Sequence, residues 1–376
     1  MQFGIGFSSS DKSKTAAEEA LTEALKHVVD PVFAIIFTTN GCNHETVIKT
    51  AKKFLENSKL AGICGGGIIT SEGVMYQGVG VLIMGGTDLR AETSFQIYGS
   101  RDPREVGESA GEELLKSGIL KGTVFIFHES SSKNISETIT GLYNVMGPDY
   151  IYMGGGSGDN FNSNHSYQFT NEGVSEGALA VALVEGLSFE NGFGHGWRPK
   201  NVPLIMNEAT NKKIIEINGR RAADVCAEES DNFEPQKLKK YGLLNPLGFP
   251  DLSNNFLIRD PIKINPDGSM EFITEISRYS VGYLMEAGYD DLIISTIKMA
   301  RKTLRNEKPL LVLIFHCIFR HMIMENLEID GINVLKDVFG EDVPIFGVLT
   351  FGEIGSYFDV PVVQNKTMMI TAFYHE

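Results

Sequence analysis

Three times along this chain an apolar run gives way to a stretch of mixed polarity, and that stretch leads into a second run ending in glycine. The first run is Val32-Phe33-Ala34-Ile35-Ile36-Phe37. It shows no polar alternation, which predicts a strand covered on both faces. A helical stretch from His44 to Asn57 follows, then Leu60-Ala61-Gly62-Ile63-Cys64-Gly65-Gly66-Gly67 and a β-rich run from Val74 to Met84. The second instance begins at Thr123-Val124-Phe125-Ile126-Phe127-His128. It continues through a helix from Asn134 to Val145, reaches Tyr150-Ile151-Tyr152-Met153-Gly154-Gly155-Gly156, and ends on Ala178 to Val184. The third joins Leu310–Cys317 to a longer helical region, to Pro344–Gly355 and to Thr367–Phe373.

Each unit is preceded by a further strand and helix. Phe3–Phe7 precedes a helix whose Ala17, Leu21, Ala24, Leu25 and Val28 share one face. Phe95–Tyr98 precedes another, started by Asp102-Pro103-Arg104-Glu105: a carboxylate cap, proline at the first helical position and a glutamate three residues beyond the cap. Met270–Ile273 and Asp290–Leu304 are expected to be the third such pair. The predicted fold class is therefore α/β, with mixed β-sheets covered by helices and built from about three β-α-β-α-β-β repeats. Repetition of this kind fixes the architecture before any single element does. From Trp197 to about Asn265 the pattern breaks, with Ile214–Gly219 reading as a hairpin strand and its turn. The join between two halves is placed near residue 200, giving 1–200 and 201–376.

The 376 residues allow two or three packed units, and 42% hydrophobic with 22% charged residues is an ordinary globular balance. The 40 glycines therefore belong in turns. A formal charge of −15 repels nucleic acid and anionic membrane surfaces. The amino terminus has no basic segment followed by an apolar one, and no apolar run reaches the ~18 residues of a span. A cytoplasmic location is expected. Cys42, Cys64, Cys226 and Cys317 form no CxxC pair, which signals neither a disulfide framework nor a zinc site.

A strand ending in glycines has two uses. Its bare amides could grip a carboxylate or phosphate, or the glycines could serve tight turns and close strand crossings. Gly65, Gly66, Gly67, Gly155 and Gly156 are candidates for the first use. Ser157 and Asp159 stand beside the second turn, where they would hold a ligand or bond their own backbone. No phosphate-loop lysine follows any triplet, and no GxGxxG opens a helix, so nucleotide cofactors are not indicated. His195, between glycines and near the lone tryptophan, is either a ligand to a metal or haem iron or a turn residue. Cys317 has His316 as its neighbour on a strand, and neighbours point to opposite faces, which weakens a Cys–His nucleophile. Arg320 would clamp a carboxylate or make a salt bridge, with Glu353 as an opposing charge.

Phe315-His316-Cys317-Ile318-Phe319-Arg320 and Val343–Gly355, with Thr350 to Glu353 at its turn, closely resemble the carboxyl-terminal signature of the FIST family (F-box and intracellular signal transduction). The Ile63–Gly67 and Met153–Asp159 turns resemble its amino-terminal signature. The resemblance covers nearly the whole chain and implies two FIST modules. It implies a sensory protein binding a small-molecule ligand, an amino acid or similar metabolite. One bacterial branch of the family binds haem and senses nitric oxide, acting on separate kinases or cyclases, and eukaryotic members add an F-box. No output domain is recognisable here, so a signalling partner such as a separately encoded kinase or cyclase is expected. No cofactor is assigned. Haem is the alternative, with His195, His316 and His321 as iron ligands, although no CxxCH motif exists. Two further alternatives are an acyl- or amide-processing enzyme at Cys317, Ser157 or Thr350, and an interaction scaffold with a vestigial cleft.

Overall fold

A computed structural model describes residues 1–130, 134–158, 166–230, 245–251, 255–327, 329–357 and 360–375. The first unit runs β1 (Gln2–Ser8), α1 (Ser13–Leu25), β2 (Pro31–Thr39), α2 (His44–Phe54), β3 (Lys59–Gly65), the hairpin β4 (Ile68–Thr70) and β5 (Gly73–Met75), and β6 (Val79–Gly85). The second runs β7 (Arg90–Ile97), α3 (Pro103–Leu115), β8 (Gly122–Glu129), α4 (Ile135–Met146), β9 (Tyr150–Ser157), the hairpin β10 (Tyr167–Thr170) and β11 (Val174–Glu176), and β12 (Ala178–Glu185). The third opens with β13 (Phe189–Gly194) and is at once interrupted. The insert comprises β14 (Arg198–Thr210), β15 (Lys213–Ile217), β16 (Arg220–Arg221), α5 (Ala222–Glu229), β17 (Leu247–Pro250), β18 (Phe256–Arg259), β19 (Pro261–Ile264), β20 (Met270–Phe272) and β21 (Val281–Glu286). The third unit resumes with α6 (Tyr289–Lys302), β22 (Leu311–Cys317), α7 (Ile318–Asn326), α8 (Gly331–Phe339), β23 (Ile345–Thr350), the hairpin β24 (Glu353–Tyr357) and β25 (Val360–Gln364), and β26 (Met368–Phe373).

Local chemistry sets several of these boundaries. The Asp102 carboxylate accepts the Arg104 amide at 2.9 Å, with Pro103 opening α3. Asn218 and Gly219 turn the β15–β16 hairpin with φ of 51° and 71°, the pair of positive values a two-residue hairpin needs. The third unit's opening strand is Phe189–Gly194, not Met270–Ile273 as its sequence position suggested. The insert separates that strand from α6, and adjacency in sequence is no guide across an insertion of this length.

Three of the four sheets repeat one order. In the first, β1, β6, β2 and β3 lie side by side, with β6 antiparallel to both neighbours and β2 parallel to β3. β7-β12-β8-β9 and β13-β26-β22-β23 match it. Each sheet is completed by a hairpin from another unit: β10–β11 joins β3, β24–β25 joins β9, and β4–β5 joins β23. The exchange closes a cycle. Inner faces of all three sheets supply one core that includes Phe37, Phe127 and Phe315. These three rings sit at matching register positions, one per sheet, and contact one another at centroid distances of 6.1 to 6.2 Å. Full burial of each contributes about 1.5–3 kcal/mol. The insert forms the fourth sheet, with its own core around Leu204, Met206, Ile214, Phe272 and Leu284. Among the described residues, no helix is long and apolar enough to cross a membrane.

Candidate functional site

The glycine turns meet at the centre, and they meet each other. The Gly66 amide donates to the Leu349 carbonyl at 2.9 Å, the Phe351 amide to the Gly156 carbonyl at 3.0 Å and the Gly158 amide to the Cys64 carbonyl at 3.0 Å. By register these are equivalent positions in the three units, so the bonds form a closed ring. Two more reinforce it, from Leu349 to Gly67 and from Gly156 to Gly352, each at 2.8 Å. The Gly66 and Gly156 amides, expected to be bare for a ligand, are therefore spent on neighbouring backbone. Space is spent too: a Cβ on Gly65 would stand 2.2 Å from Val348 Cγ2, and one on Gly155 2.6 Å from Thr350 Cγ2. Of the two uses left open by the sequence, the geometry matches close crossing.

The polar residues beside the turns are likewise satisfied from within. Ser157 Oγ donates to the His128 carbonyl at 3.0 Å and accepts from Gln168. Thr350 Oγ1 donates to Glu353 at 2.9 Å, and Glu353 also accepts from the Thr367 amide at 3.2 Å and hydroxyl at 2.6 Å. Gln168 fills the matching place in the second unit, accepting the Ala178 amide at 2.9 Å. Burial pushes the Glu353 carboxyl up to about 8, against the pull of its hydrogen bonds to Thr367 and Thr350. Asp159 lies outside the described residues.

Cys317 faces Thr350 across the β22–β23 pair and is 1% exposed. Burial, then the neighbouring Glu353, hold its thiol well above the ordinary range. A thiol kept protonated in this way makes a poor nucleophile. His195 is engaged as well: its Nδ1 accepts the Trp197 amide at 2.8 Å and the ring also bonds the Phe256 backbone. Burial brings it down to about 4.

Arg320 is fully buried near the start of α7, and among the described residues no carboxylate bonds to it. Its guanidinium donates instead to neutral groups: the His195 carbonyl at 3.0 Å, the Leu292 carbonyl at 3.1 Å, Ser295 Oγ at 3.2 Å, Thr296 Oγ1 at 2.8 Å, Met324 Sδ at 3.0 Å and His316 Nε2 at 3.1 Å. Glu353, the expected opposing charge, is not among them. Burial lowers Arg320 to about 10, which leaves it charged at neutral pH. Arginine only donates, so His316 Nε2 must accept, and the imidazole carries its proton on Nδ1. Burial, then the Arg320 charge, keep His316 neutral, well below the ordinary histidine range.

His316 is also part of the floor of a cleft of about 240 Å³ on the outer face of the third sheet. Ile69 and Val74 of the first unit's hairpin wall it on one side, and Ile332 and Leu335 of α8 on the other. Tyr76, His321 and Glu325 form its lip: Tyr76 Oη donates to Glu325 at 2.8 Å and stands 3.0 Å from His321 Nε2, which is 3.2 Å from Glu325. Asp330 is a further acid of the lining, its carboxylate capping α8 through the Ile332 and Asn333 amides at 3.1 and 3.0 Å. The cleft thus combines apolar walls, one imidazole N–H backed by a buried cation, and acidic groups at the edge. No group of three or more histidine, cysteine, aspartate or glutamate side chains placed to hold a metal occurs among the described residues.

None of the predicted glycine-turn residues lines this cleft. Arg320 reaches it only through His316 and Met324, both of which it bonds. Of the cleft's polar residues, His316 and His321 carry a signal in the sequence as candidate iron ligands, whereas Tyr76 and Glu325 were not expected. Glu325 stands four residues beyond His321 on one helix, a spacing that signals a pair. Tyr76, 245 residues from His321, gives no local signal at all.

Two family models match the chain, a FIST N domain over residues 32–220 and a FIST C domain over 222–356. An uncharacterized protein of Methanocaldococcus jannaschii is 23% identical over 189 residues, which is 46% of this chain and 36% of that protein. The chain thus aligns with about a third of the length of that relative.

Proposed function

Because the chain belongs to the FIST family, whose domains are associated with signal transduction and small-ligand sensing, we propose that it is a ligand-responsive signalling protein with its ligand seated in the His316 cleft. The observation that carries this reading is the neutral imidazole whose Nδ1–H is set by Arg320 against apolar walls. That N–H donates to a carboxylate or carbonyl, with the arginine charge behind it favouring an anion. Glu325 and Asp330 at the edge favour an ammonium. Ile69, Val74, Ile332 and Leu335 accept an aliphatic body. An amino acid or similar small metabolite with an apolar side chain matches all three. About 240 Å³ is below the ~300–1,000 Å³ of drug-sized sites, which points to a compact guest. The signal then passes to a separate protein such as a kinase or cyclase.

A thermal-shift series with amino acids and short carboxylates tests this. At ~100 times its dissociation constant a ligand adds about 2.7 kcal/mol. Ile332→Trp, which fills the cleft from a half-buried position, is expected to abolish the shift while leaving the circular dichroism spectrum unchanged. Absence of any shift in the wild type, or an equal shift in the filled variant, would exclude the cleft as the site.

A further inference from the structure

The insert leaves the core just after β13 and returns just before α6, so its two roots are the His195 region and the first turns of that helix. Both roots are held by one side chain. Arg320 Nε donates to the His195 carbonyl at 3.0 Å, and Nη2 donates to the Leu292 carbonyl, Ser295 Oγ and Thr296 Oγ1 at 3.1, 3.2 and 2.8 Å. Its remaining nitrogen, Nη1, bonds His316 on the floor of the cleft at 3.1 Å. We infer that Arg320 is a positioning residue that couples the cleft to the insert, fixing the Nδ1–H form of His316 with one arm and both roots of the insert with the others.

The guanidinium is planar and rigid, and its donors cannot be re-aimed one at a time. Any shift of the His316 ring therefore tilts the plane that bonds His195 and α6. Beyond the roots, the insert meets the third unit in a buried apolar cluster, where Ile258 and Met285 pack with Leu292, Ile323 and Met324, and through directional contacts. Asp260 pairs with Lys366 at 3.0 Å, Thr274 Oγ1 donates to Asn365 at 2.9 Å, and Arg259 donates to the Val363 carbonyl at 3.3 Å. Packed interfaces with directional bonds of this kind switch between discrete arrangements, which allows two placements of the insert rather than a continuum. As regulation of the proposed ligand site the inference rests on that reading, in which a ligand bonding His316 Nδ1 biases the insert.

Two measurements test the coupling without any ligand. In wild-type protein labelled with ¹⁵N-histidine, the His316 nitrogens are expected to report the Nδ1–H form. Ser295→Ala, which removes an Arg320 acceptor on the far side from the cleft, is expected to move those resonances. In the opposite direction, His316→Asn is expected to raise hydrogen exchange at Trp197, Arg198 and Ile293–Thr296 at least tenfold, with β2 and β8 unchanged. Unmoved histidine resonances in Ser295→Ala, or exchange that is unaltered or uniformly raised in His316→Asn, would overturn the inference. Arg320→Lys keeps the charge but loses the fork, and it must show the tautomer and exchange changes together. Failure of the ligand series leaves both measurements standing, so the two ideas fall separately.

Discussion

At the residue scale, one position recurs in three chemistries. Ile68, Gln168 and Glu353 occupy the same register place at the start of the three exchanged hairpins, and all are fully buried. Gln168 shows that an amide can hold the place of the carboxyl, since it accepts the corresponding backbone N–H. Glu353 has its carboxyl raised to about 8 from 4.5. Its contribution to stability is therefore complete below the ordinary carboxyl range and is lost as pH rises through about 8. Every tenfold change in proton affinity between the folded and unfolded chain corresponds to about 1.4 kcal/mol. Asp260, raised to about 6 by burial, acts in the same direction, so the informative quantity is the difference between two proteins. Urea midpoints of Glu353→Gln and wild type are expected to lie close together at pH 5 and to diverge by pH 8.5, with the variant the more stable. Cys317 makes a second residue-scale prediction. Its buried thiol should react with a thiol reagent at pH 8 only as fast as the chain unfolds, and rapid labelling in native buffer would revive cysteine chemistry.

At the scale of elements, the glycine turns let three hairpins leave their own sheets and close the neighbouring ones. Each third strand ends in a turn crossing that of another unit, and side chains at the crossing would hold the backbones apart. Gly65→Ala places its methyl against Val348 Cγ2 and, at 2.9 Å, against the Leu349 carbonyl. Backbone cannot rotate away as a side chain can. Overpacking of this sort costs about 1–3 kcal/mol, and the upper part of that range is expected in urea unfolding. A neutral outcome would mean that the crossing is looser than the ring of backbone bonds implies.

For the whole molecule, the cyclic exchange ties the amino- and carboxyl-terminal parts into common sheets. β24 and β25 complete the second unit's sheet, while β4, β5 and β13 complete the third's. A fragment ending at residue 200 leaves β9 without its antiparallel partner, and one starting at 201 leaves β23 and β26 with open edges. Unpaired edges of that kind are prone to aggregation. Expressed alone, 1–200 and 201–376 are each expected to be insoluble or unfolded by circular dichroism, and coexpression is expected to recover a soluble pair. Two independently cooperative fragments would contradict the shared-sheet account.

The sequence by itself determined the main strands and helices of the three units, though neither β13 nor the exchanged hairpins. Continuous apolar runs marked β2, β8 and β22, helical spacing marked α1, and Asp102-Pro103 marked the start of α3, because burial pattern, periodicity and capping are properties of neighbouring residues. It also marked the three glycine turns as special. Only the tertiary structure decided what they are for, since a bare amide and an amide bonded across a crossing read the same until the partner strand is in place. The same holds for β13, cut off from its helix by the insert, and for the cleft, where Tyr76 meets His321 only after a hairpin has crossed to another unit's sheet. Arg320 was expected to clamp a carboxylate or make a salt bridge; its neutral partners include His316 and Met324, each four residues away, but also β13's exit and α6, which chain order keeps apart and only packing brings within 3.2 Å of the guanidinium.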